Sequence, residues 1–359
     1  MTSKARVLRA LNHLPPDRIP RFDEFWEEFG EKCAAELGWP HGVRPSEYFG
    51  NDIRIVIADE TPFPSRVETL KEDGDVTLQR DGWGRTVRIR SGAYFYEELD
   101  FAIRDPTDLD RVQFESPAID SRFAGFDPGA FRADRCCLFC KVGGPYFRSS
   151  FIRGQQNYLG DIAGDPVFAR EVAERVTSHL IAIGEESLRR GDLYGTGIWI
   201  FDDLAYNRQP MMSPQSFESL FLPSYRRMVS AFKSVGAAKV CLHSDGNIGP
   251  LLDMLIDAGI DAINPVEPKA GMRVATLKKR YGTHLAYIGG MCNAHVLPCG
   301  TRDEIAAQAR EIIDAGHDGG VVIGAHSIGP DVPVDSYQYY HDLVMAEGRF
   351  REDGCRASA

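Results

Sequence analysis

The sequence predicts an α/β fold, a single (β/α)8 barrel of the TIM type, from two observations. Short apolar runs alternate with longer segments of helical periodicity through most of the chain. In addition, the last four apolar runs each end in side chains that can bind a metal or move a proton. Positions that follow the strands of such a barrel share one rim, where these enzymes do chemistry. The side chains concerned are His243-Ser244-Asp245, Glu267, Cys292 to His295, and His326-Ser327.

Composition and charge limit the class of protein. The 359 residues, 43% of them hydrophobic, suffice for one barrel of about 250 residues with insertions, so we expect a single domain over 1–359. A formal net charge of −11 argues against nucleic-acid and anionic-membrane partners. No apolar run approaches the roughly 18 residues of a membrane span, and the N-terminus lacks an apolar signal core. Eight scattered cysteines do not resemble a disulfide framework, and we expect a cytoplasmic protein.

The first two strands are predicted near the N-terminus. Residues 4–14 have helical spacing and end before Pro15-Pro16, and residues 18–23 follow as a candidate first strand. Residues 24–37 have helical spacing again. Residues 53–58 form a β-branched run that predicts the second strand.

The α/β alternation is interrupted after the second strand. Residues 76–80 and 86–90 alternate apolar and polar side chains around Asp81-Gly82-Trp83-Gly84, which predicts a β-hairpin. We interpret the region from about 61 to 117 as an insertion that covers part of the barrel mouth.

The remaining six strands follow at helix-length intervals. Pro214 after Ser213 marks one helix start, and Thr301 with Glu304 forms a capping box at another. The predicted strands are 136–142, 197–201, 239–243, 261–264, 285–291 and 320–325.

Four residues on the predicted rim are candidate metal ligands. His243 and Asp245 stand two positions apart in an extended segment, so both can point to one small volume. Glu267 lies between two prolines after the sixth strand, and His326 follows the last one. The alternative is structural: His243 would bond to backbone, Asp245 would cap the next helix, and Glu267 would form a surface salt bridge.

Further rim residues are candidates for acid chemistry and substrate binding. Asp203 follows the fourth strand and Asp59 follows the second, each beside another acid. Arg153 can hold one of these acids, and Cys292 can be a thiol near a metal or an ordinary buried cysteine. Phe22 and Phe25 belong to an aromatic and acidic segment after the first strand, and are candidates for substrate contact.

At these residues the chain resembles the uroporphyrinogen decarboxylase superfamily over nearly its whole length. That superfamily has the TIM-barrel fold. It contains porphyrinogen decarboxylases and zinc-dependent methyltransferases that exchange methyl groups with a corrinoid protein. The resemblance rests on Asp203 with Ser213-Pro214, His243-Ser244-Asp245-Gly246, Asn264-Pro265, Gly289-Gly290 and residues 324–333.

The two branches imply different site residues. The decarboxylases carry an Arg-Gln-x-Gly-Arg segment after the first strand, whereas residues 21–28 here are mostly acidic and aromatic. Such a mouth would repel a substrate with eight carboxylates. Only Asp59 and His326 resemble decarboxylase site residues.

The methyltransferase branch holds zinc with a His-x-Cys pair, a glutamate after the next strand and a late cysteine. His243 matches the histidine and Glu267 the glutamate, while Asp245 replaces the first cysteine and His326 falls near the last. The resemblance therefore implies a zinc site with harder ligands, which zinc accepts.

The function that the resemblance implies is methyl transfer. A small methylated substrate, such as a methoxy compound, would pass its methyl group to a corrinoid protein, with Asp203 protonating the leaving group. One alternative is a uroporphyrinogen decarboxylase or a related metal-free decarboxylase of tetrapyrrole metabolism. Another is a non-catalytic homologue that binds a corrinoid or tetrapyrrole.

Overall fold

The computed structural model describes residues 1–39, 42–93, 95–131 and 136–350. Tyr94 of the expected insertion and the last nine residues lie outside this range. The strands are β1 Ile53–Ile57, β2 Glu68–Asp73, β3 Val76–Arg80, β4 Thr86–Arg90, β5 Glu97–Asp100, β6 Cys137–Gly143, β7 Gly197–Phe201, β8 Lys239–His243, β9 Ala262–Val266, β10 Ala286–Met291 and β11 Val321–Ala325. The helices are α1 Ser3–Leu11, α2 Glu27–Leu37, α3 Pro45–Tyr48, α4 Pro106–Arg111, α5 Pro145–Arg153, α6 Gln155–Gly164, α7 Pro166–Gly191, α8 Pro214–Leu220, α9 Leu222–Ser234, α10 Leu252–Asp257, α11 Val274–Tyr281, α12 Val296–Cys299, α13 Arg302–Gly316 and α14 Val334–Glu347.

One curled sheet of seven parallel strands organises the chain. Its order, β1-β6-β7-β8-β9-β10-β11, follows the sequence, and each strand pairs with the next in parallel. Seven of the eight predicted strands are thus confirmed. The register aligns Phe201 with His243 and His243 with Asn264, so the last residues of neighbouring strands lie side by side.

The prediction of a regular first strand at 18–23 is wrong in detail. The segment forms only isolated bridges, such as Arg21 with Ile323. Its backbone nevertheless bonds to both edges of the sheet: the Phe22 N–H donates to the Ile323 carbonyl at 2.9 Å, and the Arg21 carbonyl accepts from the Asp52 N–H at 2.9 Å. Pro20 offers no N–H, which limits regular pairing here. The approach is so close that a Cβ on Gly324 would lie 1.7 Å from the Phe22 carbonyl oxygen.

The region after β1 forms a separate antiparallel sheet. The two strands predicted for the hairpin, β3 and β4, pair antiparallel, but they belong to a four-stranded sheet in the order β2-β3-β4-β5. Strand β2 is fully exposed along its length. The idea that this region is an insertion covering the mouth stays a prediction.

Two apolar cores hold the sheet in place. The smaller lies inside the curl, where the Phe22 and Trp199 rings are 5.3 Å apart, and helix α1 closes its amino-terminal end through Val7, Ala10 and Leu11. The larger core lies between the outer face of the sheet and the surrounding helices. Each fully buried large side chain contributes about 1.5–3 kcal/mol to folding.

The predicted start of α13 is confirmed. The Thr301 hydroxyl accepts from the Glu304 N–H at 3.3 Å, and the Glu304 carboxylate accepts from the Thr301 N–H at 2.8 Å. Among the described residues, the helices are all too short or too polar to cross a bilayer. A cytoplasmic location stays a prediction.

Candidate metal centre at the carboxyl end of the sheet

Three side chains that can bind a metal meet at the carboxyl end of the sheet. They are His243 at the end of β8, Asp245 two residues later and His326 directly after β11, and their ligand atoms all lie within 4.8 Å of one another. The Asp245 Oδ1 atom is 3.2 Å from His326 Nε2 and 3.5 Å from His243 Nε2. The structure therefore brings together three of the four residues predicted as ligands.

The spacing of these atoms fits a tetrahedral metal ion. With metal–ligand bonds of about 2.0–2.2 Å, two ligands of a tetrahedral zinc lie about 3.4 Å apart, close to both observed distances. The buried Asp245 Oδ1 has no hydrogen-bond partner, although two imidazole nitrogens are this near. The three ligand atoms lie close together, and two imidazoles and a carboxylate are ligands that zinc accepts.

The orientation of His243 is determined by Asn264. His243 Nδ1 lies 2.7 Å from Asn264 Oδ1, and the Asn264 amide donates to the Ile288 carbonyl at 3.2 Å. The amide oxygen can only accept, so Nδ1 carries the proton and Nε2 presents its lone pair to the cluster. Phe201 stacks on the imidazole at 4.2 Å. Burial, followed by the nearby His326, lowers the pKa of His243 to about 4, which keeps the ring neutral as a ligand.

A tight turn places Asp245. Gly246 has φ of 79°, and a Cβ there would lie 2.6 Å from the Tyr206 backbone, so glycine is required. The Asp245 N–H donates to Asp203 Oδ1 at 3.3 Å, and the Gly246 N–H donates to Glu267 Oε2 at 2.7 Å. Two carboxylates from neighbouring strand ends therefore hold the turn.

Glu267 is buried beside the cluster, but its oxygens are engaged elsewhere. One bonds to the Gly246 N–H, and the other lies 2.9 Å from Lys269 Nζ. The carboxylate is not among the three converging ligands. Its role as a ligand stays a prediction, whereas its contact with the turn that carries Asp245 is observed.

Asp203 lies at the margin of the cluster. Its Oδ1 is 4.0 Å from His243 Nε2. Burial, and then the negative charge of Asp245, raise the pKa of Asp203. A carboxyl group that favours its protonated form at this position can act as an acid.

His326 is positioned by a buried pair that the sequence did not reveal. The Asp23 Oδ1 atom accepts from the Ala325 N–H at 2.8 Å, and Asp23 Oδ2 lies 3.2 Å from Arg21 Nη2. Burial opposes the charge on His326, but contact with Asp245 raises the pKa of its imidazole above the usual value. Asp245 and His326 thus attract each other when no cation lies between them.

A cavity of about 970 Å³ opens beside the cluster. His326 and Phe201 line it, and so do Phe22 and Phe25, which were predicted to contact substrate. The volume suits a small organic molecule. Charged residues that line it include Glu24, Glu27, Glu31, Arg44, Arg54 and Lys141.

Three predicted site residues lie apart from the cluster. Asp59 is exposed and accepts from the Thr61 N–H and hydroxyl, as in an ordinary turn. Arg153 pairs with Asp161 at 2.7 Å and is not among the residues lining the cavity. Cys292 is buried and its N–H donates to Gln308, but its sulfur is not in the three-residue cluster.

Two residues of the site were missed in the sequence. Asn264 bonds to His243, and its place at a strand end next to Pro265 is the sequence signal for it. Lys141 is the one charged residue in the apolar run of β6, and it lines the cavity.

Comparison with known proteins identifies the family. The model of the uroporphyrinogen decarboxylase (URO-D) family matches residues 130–346, more than half of the chain. The chain belongs to the URO-D family. A comparison with curated proteins gave no match.

Solved structures agree with the fold of this URO-D family member. A methyltransferase from Methanosarcina mazei superposes with a TM-score of 0.69 at 16% identity, covering 96% of this chain and 99% of that one. At that identity, the similarity shows the fold alone. A B12-independent methionine synthase from Shewanella sp. W3-18-1, in complex with selenomethionine, gives a TM-score of 0.46 at 11% identity, covering 84% and 82%. That likeness is too weak to carry an argument.

Proposed function

We propose that this URO-D family protein is a methyltransferase. It would take a methyl group from a small methylated substrate, such as a methoxy compound, and pass it to a corrinoid protein. The observation that carries the proposal is the convergence of His243, Asp245 and His326 on one point beside the cavity. The superposition on a methyltransferase over nearly the whole chain supports the barrel fold of the proposal. In this barrel, residues 18–23 would take the place of the eighth strand.

Each residue of the site would have its own role in the reaction. His243, Asp245 and His326 would hold a zinc ion, which supplies a Lewis acid for the group that leaves after methyl loss. Asn264 orients His243, and Glu267 keeps the Asp245 turn in place. Asp203, whose pKa is raised by burial, would give its proton to the leaving oxygen.

The decarboxylase alternative has less support. Three arginines that could bind carboxylates are engaged elsewhere: Arg21 pairs with buried Asp23, Arg66 lies over the Phe63 ring, and Arg153 pairs with Asp161. Arg44 and Arg54 line the cavity, but Glu24, Glu27 and Glu31 line it as well. Asp59, which resembles a decarboxylase residue, lies in an exposed turn. We therefore expect no turnover of uroporphyrinogen.

A measurement of the bound metal tests the proposal directly. Protein purified without chelator should contain about one zinc per chain by elemental analysis. His243→Ala should lose most of it, while the exposed His284→Ala should keep it. With a methoxy compound and a reduced corrinoid protein, the wild type should form methylcorrinoid, detected by its absorption spectrum. Absence of bound metal and of methylcorrinoid in the wild type would refute the proposal.

A further inference from the structure

Lys141 lies at the mouth of the sheet, next to the proposed metal ligands. Its ammonium stands 4.2 Å from the centroid of the Phe201 ring. The His243 imidazole stacks on the same ring at 4.2 Å with an interplanar angle of 7°. Since one face of Phe201 is covered by His243, the ammonium lies over the other. Lys141 and His243 are therefore separated by the thickness of one aromatic side chain.

Within the part of the chain that the structure describes, Lys141 has no carboxylate at ion-pair distance. Three acids near the mouth are matched to other cations: Asp23 to Arg21, Glu60 to Arg148, and Glu267 to Lys269. Glu24 and Asp203 attract the Lys141 charge without reaching ion-pair distance. Burial lowers the pKa of the Lys141 amine. A largely buried ammonium without a counter-ion costs free energy, and an anion that enters the cavity would recover it.

We infer that Lys141 binds a carboxylate of the methyl donor, so that the donor is a methoxylated aromatic acid. This inference rests on the proposed function. Lys141 and His326 both line the cavity, so a carboxylate at one end of a benzene ring would lie at Lys141 and a methoxy group at the other end at His326, the cluster member that faces the cavity. Phe22, Ile55 and the edge of Phe201 supply apolar walls for the ring between them.

Other charges in the cavity oppose this inference and sharpen its test. Glu27 and Glu31 on α2 line the outer cavity and are exposed, and Glu24 lies deeper. Burial raises the pKa of Glu24, which favours its neutral form. Arg44 and Arg54 also line the cavity, so the test must separate their contribution from that of Lys141. One carboxylate is expected at Lys141 itself, because one ammonium matches one carboxylate. If the glutamates dominated, a cationic donor would bind instead.

The test compares three ligands of nearly equal shape by calorimetry. 4-Methoxybenzoate should bind the wild type about tenfold to hundredfold more tightly than neutral 4-methoxybenzamide, as expected for one charge-assisted contact. The cation 4-methoxybenzylamine should bind most weakly. Lys141→Met should remove the preference for the benzoate, Lys141→Arg should retain much of it, and the exposed Lys71→Met should retain all of it. Thermal melting of each variant checks that it is folded.

The outcomes separate this inference from the proposed function. Equal binding of benzoate and benzamide to the wild type, or tightest binding of the benzylamine, would overturn the inference without any variant. A benzoate preference that survives in folded Lys141→Met would also overturn it. The proposed function fails on a separate readout, if the wild type binds the benzoate through Lys141 but forms no methylcorrinoid.

Discussion

At the amino-terminal end of the sheet the Asp52 carboxylate is fully engaged, whereas at the carboxyl end that of Asp245 is not. Asp52 is buried and accepts from the side chains of Ser3, Arg6 and Arg18 and from the Arg21 N–H, at 2.7–3.0 Å. The Asp245 Oδ1 atom has no hydrogen-bond partner. Both acids have basic side chains beside them: guanidinium groups around Asp52, and two imidazoles, of which that of His243 is neutral, around Asp245.

The two carboxylates differ in the geometry of the groups around them. Around Asp52, guanidinium groups point their N–H bonds at the oxygens, which is the arrangement that stabilises a fold. Around Asp245, two imidazole Nε2 atoms lie 3.2 and 3.5 Å from the same oxygen, and His326 Nδ1 has no hydrogen-bond partner. Buried polar atoms are nearly always paired, so these unpaired atoms support the proposed metal site.

The largest expected effect is a difference in the free energy of unfolding between substitutions at the two ends of the sheet. Asp52→Asn should lower the free energy of unfolding by about 3 kcal/mol or more, because Arg6 and Arg18 lose a buried counter-charge. Asp245→Asn should change it by less than about 1 kcal/mol in metal-free protein, because Asp245 is partly exposed and gives up few bonds. Urea denaturation measures both.

An exposed pair provides the control for this contrast. Asp253→Asn removes a pair with Arg280 on the surface and should cost less than about 1 kcal/mol. Similar losses for Asp52→Asn and Asp245→Asn would mean that the two ends do not differ as described.

A buried histidine outside the cluster shows how burial alone changes the pKa of an imidazole. His179 bonds to the Glu60 carbonyl, and burial lowers its pKa to about 4. The unfolded chain takes up this proton near pH 6.5 and the folded chain does not, so stability should fall as the pH drops from 6.5 to 4. The loss is roughly 3 kcal/mol for one group.

The pH dependence of unfolding in metal-free protein, followed by denaturant titration, measures this loss. His179→Gln should flatten the curve over that interval. An unchanged slope in the variant would assign the loss to other groups, His243 included.

The smallest effect should come from Asn264. Asn264→Ala would remove the acceptor that holds the proton on His243 Nδ1, which should weaken zinc binding by about 10–100-fold. Competition with a chromogenic chelator measures the affinity. Asn157→Ala, which removes a surface bond to the Arg153 carbonyl, is the matched control. Equal affinities in both variants would remove Asn264 from the site.

Much of the fold could be predicted because the spacing of apolar residues reflects which faces of helices and strands are buried. Strands β6 to β11 were recognisable as apolar runs since both faces of a parallel sheet are covered. The segment at 18–23 was harder, because its pairing depends on Gly324, some three hundred positions later, leaving room for its backbone. No local pattern contains that information.

The site was predictable in its main members but not in its details. His243, Asp245 and His326 follow strands, and strand ends meet. Asp59 was preferred as a site acid, but its neighbour Glu60 is the buried one, since one step along the chain reverses the direction of a side chain. Arg153 was expected to hold a rim acid, yet Asp161 is available to it across the α5–α6 junction.

The bond between Asp23 and the Ala325 N–H joins residues 302 positions apart. During synthesis, the N-terminal segment leaves the ribosome long before β11 exists. The contact between residues 18–23 and β11 therefore cannot form until the chain is almost complete. His326 follows the same strand. The candidate centre therefore forms only when residues 18–23 pair with β11. A nascent chain that lacks β11 has neither this contact nor the centre.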